Sequence, residues 1–311
     1  MNERSRPPTL MHMRKIVALI ALMLLGAGIA KAAPNGVSVE VTLDQDQFLP
    51  SEDLVAAVRV TNMSGRDIEL GDDNQWLSFL IQGESGYVAP RIAEPQVATK
   101  FVLHSAQVGT RRVNLTPYFN FTRPGRFHVT ATVNLAKWNQ QVSSKPTPFM
   151  ILTGVPLVNV PDLEFGVPPK AGEADHAPEI RKYILEKATY YHELKLYLRI
   201  TDATGARTLR VFPVDRMVSF SNPEAQIDGA SDLHVLHQTG ARVFNYSVFN
   251  PDGDLVARQT YQYTSTRPEL RKNDEGKIYV RGGIRLISAK DFPTATASIP
   301  ATKPDAAPST P

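Results

Sequence analysis

Val37-Ser38-Val39-Glu40-Val41-Thr42-Leu43 decides the fold class, because an aliphatic residue stands at every odd position and a polar one between. Successive side chains of an extended strand point to opposite faces, so this spacing makes one apolar and one wetted face; a helix of 3.6 residues per turn would scatter them. The same period returns along the chain. Leu54, Ala56, Val58 and Val60 alternate with Val55, Ala57, Arg59 and Thr61, and Phe127, Val129, Ala131 and Val133 with His128, Thr130, Thr132 and Asn134. Leu194, Leu196, Leu198 and Ile200 repeat it against Lys195, Tyr197, Arg199 and Thr201.

Turn-forming stretches separate these runs: Leu49-Pro50-Ser51-Glu52, Asn62-Met63-Ser64-Gly65, Gly83-Glu84-Ser85-Gly86, Arg123-Pro124-Gly125, Asp202-Ala203-Thr204-Gly205, Asn250-Pro251-Asp252-Gly253 and Asn273-Asp274-Glu275-Gly276. Proline presets one dihedral, and glycine and asparagine tolerate positive φ, so each supplies a reversal. Short strands at this spacing predict an all-β chain of two antiparallel β-sandwich-like domains in tandem. Trp76, Leu77, Phe79, Leu80 and Ile81 read as a strand apolar on both faces, hence central. Glu179 to Ala188 is ambiguous: Ile180, Tyr183, Ile184, Lys187 and Ala188 fit a short amphipathic helix, but a strand is preferred.

The chain begins with a different pattern. Arg14 and Lys15 precede an apolar run from Ile16 to Ala30 that ends Ala30-Lys31-Ala32, which predicts an export signal over residues 1–32, cleaved after Ala32. The run falls short of the roughly 20 apolar residues a spanning helix needs, so no stable membrane anchor is expected after processing. Met11 or Met13 would serve as alternative starts. The expected organisation is then a first domain over 34–153, a proline-rich connector over 154–177, a second β-rich domain over 178–292, and a disordered Pro/Ala/Thr tail over 293–311.

Formal charge is +3 over 311 residues, with 34 Lys and Arg against 31 Asp and Glu. Arg4, Arg6, Arg14, Lys15 and Lys31 against Glu3 place a net +4 in the leader, which leaves the remainder near −1. No basic block remains to track a phosphate backbone, so nucleic acid is not an expected partner. Cysteine is absent, which removes disulfides, thiolate chemistry and a lipidated cysteine. The location expected is periplasmic or extracellular.

Asp46-Gln47-Phe48-Leu49-Pro50-Ser51-Glu52 with the valine-rich strand ending Asn62-Met63-Ser64-Gly65 resembles the opening of bacterial immunoglobulin-like domains, including those related to macroglobulin domains and to BsuPI-type proteinase inhibitors. Leu115-Thr116-Pro117-Tyr118-Phe119-Asn120-Phe121 and Pro124-Gly125-Arg126-Phe127 resemble the penultimate turn and strand of the same group. The resemblance implies a sandwich over 34–153 and carries no functional residue. Ser51 stands where a glycine is common.

No constellation assigns a catalytic, metal or cofactor residue, and no cofactor is expected. His234 and His237 lie three apart, so on a strand they face opposite sides and cannot share an ion. Asn250-Pro251-Asp252-Gly253-Asp254 places its glycine too early for a calcium loop and lacks the bidentate glutamate. Gly83-Glu84-Ser85-Gly86 has the wrong spacing for a nucleophile turn. The aromatic residues Trp138, Tyr190, Tyr191, Tyr197, Tyr261 and Tyr263 are candidates for a binding platform, with Trp138, Tyr190 and Tyr191 put forward. The expected function is an exported, non-enzymatic binding protein for an envelope protein or polysaccharide. A proteinase inhibitor is one alternative, and an envelope-directed hydrolase with its site between the domains is another.

Overall fold

The computed structural model describes residues 36–169 and 177–293, so the leader with its Ala32 cleavage site and almost all of the expected tail lie outside the described residues. The first half holds β1 (Val37–Leu43), β2 (Gln47–Phe48), β3 (Val55–Asn62), β4 (Ile68–Leu70), β5 (Leu77–Gly83), β6 (Phe101–Leu103), β7 (Gln107–Asn114), β8 (Gly125–Leu135), β9 (Gln140–Ser143) and β10 (Thr147–Ile151). The second holds β11 (Val155–Pro156), β12 (Leu163–Val167), β13 (Glu179–Tyr190), β14 (Glu193–Asp202), β15 (Thr208–Arg216), β16 (Glu224–Ile227), β17 (Leu233–Gln238), β18 (Val243–Phe249), β19 (Leu255–Gln262), β20 (Glu269–Lys272), β21 (Ile278–Arg281) and β22 (Ile284–Leu286). The chain is all-β, and its sheets are antiparallel apart from the short parallel pairing of β2 with β10.

In the first half the sheet β1-β3-β7 faces the sheet β2-β10-β8-β5. The odd residues of β1 and the alternate residues of β3 and β8 named above meet between them in one core with Phe48, Phe79, Phe121 and Phe149. Each valine, leucine or phenylalanine so withdrawn from water contributes about 1.5–3 kcal/mol. Ser51 adopts φ +67, the left-handed conformation that explains why glycine suits this position. The strand read as central is an edge strand instead. Leu77, Phe79 and Ile81 are buried but Leu80 is exposed, and Trp76 sits in the core from a short 3-10 turn ahead of β5, its indole N–H donating to the Val97 carbonyl at 3.0 Å.

In the second half the sheet β11-β13-β14-β15, with β12 on β13, packs against β16-β17-β18-β19-β22. Glu179–Tyr190 is the strand β13, so the amphipathic helix is not formed. Segment 154–177 is more than a connector: β11 and β12 both pair with β13, and Phe165 stacks on Tyr183 with ring centroids 3.9 Å apart. Its prolines hid these strands, because Pro156 and the prolines after Val167 mask any alternation. A third layer, the β20–β21 hairpin, covers the far face of β17 and β18 through Leu270 and Ile278, which is why every residue of β17 is buried. Among the described residues no helix is long and apolar enough to cross a membrane.

Asn250-Pro251-Asp252-Gly253 is the β18–β19 hairpin turn. The Asn250 side-chain oxygen accepts the Asp252 and Asp254 N–H groups at 3.1 and 2.8 Å, and Gly253 has φ +82. A Cβ there would stand 2.9 Å from Ile200 Cδ1 and Phe212 Cε1. Gly253→Ala is therefore expected to lower unfolding stability by about 1–3 kcal/mol, from strained backbone and crowding together, as read by urea denaturation. An unchanged midpoint would contradict this geometry.

Only Leu152-Thr153-Gly154 separates β10 from β11. Across this junction Leu49 and Leu152 of the first half pack on Ala188, Tyr197 and Val211 of the second. This buries the outer face of β14, which the alternation had left polar. Glu52, buried here, accepts the Leu49 N–H at 2.7 Å and a Gln45 amide N–H at 2.6 Å, and burial pushes its carboxyl above the usual range despite those bonds. Beside it, Glu186 and Arg199 form a two-pronged ion pair at 2.8 and 3.0 Å.

Candidate functional site

The three proposed aromatic residues divide between two places. Tyr190 and Tyr191 form the β13–β14 turn, Tyr191 at φ +53, and both hydroxyls donate to the Asp46 carboxylate of the first half. The Tyr191 N–H donates to Gln47 Oε1 at 3.1 Å, and Lys195 Nζ stands 3.3 Å from the centre of the Tyr190 ring. These two side chains clip the halves together, although Tyr191 stays 56% exposed. Tyr197 is buried at the junction, and Tyr261 half-buried beside Arg285; Tyr263 is exposed.

Trp138 faces a cleft. After β8 the chain makes a 3-10 turn, Ala136–Trp138, and Asn139 at φ +48 reverses it into β9. The turn carries the half-buried indole to the end of the sandwich. The opposite wall is Asn62-Met63-Ser64-Gly65. Asn62, fully buried, donates to the carbonyls of Arg66 and Leu103 at 2.7 and 2.9 Å and accepts from the Ser64 N–H and hydroxyl at 3.0 and 2.7 Å. The Met63 N–H donates to the Gly36 carbonyl at 2.6 Å. A loop held this way presents Met63 at 63% exposure.

Between the walls lies a cleft of about 620 Å³, lined by Gly36, Met63, Ser64, Arg66, Lys137, Trp138 and Gln140. That volume lies within the usual range for small-ligand sites. The Lys137 ammonium reaches Glu69 at 2.6 Å and, with Lys100, holds that carboxyl below its ordinary range. Arg66 is exposed and forms no ion pair among the described residues. An indole and a thioether offer apolar contact, while guanidinium, ammonium, amide and hydroxyl groups offer hydrogen bonds. Met63 and Arg66 escaped the sequence reading because they lie more than 70 positions from Trp138; the turn at Asn62–Gly65 was legible, but not what it faces.

The two histidines of β17 face opposite sides. His234 Nδ1 bonds the Tyr246 hydroxyl at 2.6 Å and its Nε2 bonds the Asp228 carboxylate at 3.1 Å. His237 points into the core between the sheets, 1% exposed, and neither ring nitrogen completes a hydrogen bond. Burial pushes it down to about 4. Around it run Asn245, whose side-chain N–H donates to Asp215 at 2.7 Å, and Lys290, which pairs with the same carboxylate at 3.1 Å. Among the described residues no three His, Cys, Asp or Glu side chains gather as a metal would need. Two acidic stretches, Asp72-Asp73-Asn74 and Asp44-Gln45-Asp46, are engaged locally: Asp73 accepts the Gln75 N–H at 2.8 Å, Asp72 pairs with Lys100 at 3.1 Å, and Asp44 pairs with Arg112.

No protein-family model matches the chain, and no curated protein matches it. Among solved structures, Spo0M, the sporulation control protein from Bacillus subtilis, aligns at 9% identity over 58% of this chain and 91% of its own, with a TM-score of 0.27. A likeness at that level carries no argument.

Proposed function

We propose that this chain is an exported, non-enzymatic recognition protein whose first half is an immunoglobulin-like domain, and that the Trp138 cleft binds a polysaccharide of the cell envelope. One observation carries the reading: the half-buried indole and the exposed Met63 side chain flank a cleft rimmed by polar groups, of which the Arg66 guanidinium makes no ion pair among the described residues. Sugar rings offer both an apolar C–H face and a fringe of hydroxyls, and such a cleft meets the two together. Export is supported by the charged, apolar and small-residue order of the first 32 positions.

The mature chain is expected to be retained by one or more immobilised envelope glycans. Trp138→Ala and Arg66→Ala should each weaken retention at least tenfold. Arg66 is exposed and lies outside the core, so its variant keeps the test clear of misfolding. Trp76 is buried and Trp138 is the other tryptophan of the two, so a ligand-dependent change in emission would report the cleft. Unchanged retention in both variants, or no retention on any glycan, would remove the proposal.

A further inference from the structure

We infer that the outer edge of β5 takes one extended strand of another protein, with small apolar side chains at alternate positions, as an added antiparallel strand. The inference stands apart from the Trp138 cleft and rests on where the backbone groups of β5 point.

Phe79 lies opposite Ala131 of β8. The Ala131 N–H donates to the Ser144 hydroxyl at 3.0 Å and its carbonyl accepts the Ser144 N–H at 2.8 Å, so its backbone faces away from β5. Phe79 and Ala131 are thus a non-hydrogen-bonded pair, and the N–H and C=O of Phe79 point outward from the sheet. Two residues on, the same edge is already paired. The Gly83 N–H donates to the Tyr87 carbonyl at 2.7 Å, and the Ala89 N–H donates to the Ile81 carbonyl at 2.9 Å, in an antiparallel bridge. The chain's own ladder then stops. At Pro90 it turns off toward Asn120 and Tyr118, whose backbone it joins instead.

Where it leaves, a groove of about 460 Å³ opens beside Leu77, Ser78 and Phe79, walled by Gln75, Arg91 and Phe119. An extended backbone can pair with the outward N–H and C=O of Phe79, whereas a helix spends its own backbone groups internally. Unpaired edge groups favour strand addition, and alternate pockets then select side chains. The buried Phe119 ring and Pro95 offer apolar contact, and the exposed Arg91–Glu94 pair, 3.0 Å apart, stands beside them.

The test uses the full mature chain and an acetylated, amidated heptapeptide of alternating valine and threonine ending in lysine. Amide exchange followed by NMR is expected to show Phe79 N–H exchange slowed at least tenfold on peptide addition, with Leu80, already bonded to β8, unmoved. N-methylation of either alternate set of peptide amides should separate them: one set abolishes binding, the other preserves it. Equal tolerance of both, or no slowing at Phe79, would overturn the inference. So would Phe79 protected in the free chain, which would assign the edge to its own segment, or protection rising with protein concentration alone, which would assign it to a second copy.

Discussion

Replacing His237 with leucine is expected to leave the fold intact at neutral pH and to remove about 3 kcal/mol of acid sensitivity between pH 7 and pH 4. The folded imidazole titrates at about 4, against an ordinary value near 6.5, mainly because burial disfavours its cation. Asp215 draws it upward, as does the Arg216 backbone without closing a hydrogen bond, while Arg258 and Lys290 oppose protonation. Between those two values the unfolded chain binds the proton and the folded chain does not, so stability is full above about 6.5 and declines as pH falls to about 4. Two and a half units at about 1.4 kcal/mol each set a limit of about 3.5 kcal/mol, of which about 3 is reached by pH 4, where the folded imidazole is half protonated. The lowered carboxylates Asp215, Asp228 and Asp291 lose their contributions in a more acidic window, so between pH 7 and pH 4 the difference between the two proteins follows the histidine, with its neighbour Asp215 entering only below that range. At pH 7 the leucine forfeits no hydrogen bond, and the variant should match or exceed the parent. Urea denaturation across this range measures both; parallel pH curves would show that folding does not shift the His237 imidazole.

The second large effect lies at the Glu186–Arg199 pair. Arg199→Met is expected to cost about 3–5 kcal/mol, because the Glu186 carboxylate, with its side chain 7% exposed, would be left buried without its cation. Thr208 would also lose its bond from the guanidinium, now 3.1 Å long. Adding Glu186→Leu to that variant should recover most of the loss, since a buried pair replaced by apolar groups of similar size is often near neutral. A double variant no more stable than Arg199→Met would mean that packing, not stranded charge, sets the cost. The backbone above leaves little latitude: a Cβ on Gly154 would sit 2.6 Å from Glu186 Oε2.

How much of this was legible in the sequence depended on whether the determinant was local. Alternation in β1, β3, β8 and β14 is a property of neighbouring residues, and it gave the strands and their buried faces. It also placed His234 and His237 on opposite sides. β5 was misjudged as central because Leu80 adds an apolar residue to the exposed face, and nothing local says whether a strand has one neighbour or two. β11 and β12 were missed because two- and five-residue strands among prolines hold too few positions to show a period. The outer face of β14 reads as polar, yet Tyr197 is fully buried, since its cover comes from Leu49, nearly 150 residues earlier. The cleft shows the same limit: Trp138 was legible as an aromatic residue after a strand, but Arg66 and Met63 join it only through folding.

The contact of Leu49 and Leu152 with Tyr197 and Val211 also means that neither half is a finished object. Cutting the chain after Thr153 would bare an aliphatic surface on one fragment and a tyrosine-centred one on the other, with the Glu52 carboxyl newly wetted between. The first half therefore borrows solubility from the second, and damage far from Trp138, at β13 or β15, reaches the cleft as a change in how much intact protein there is to carry it.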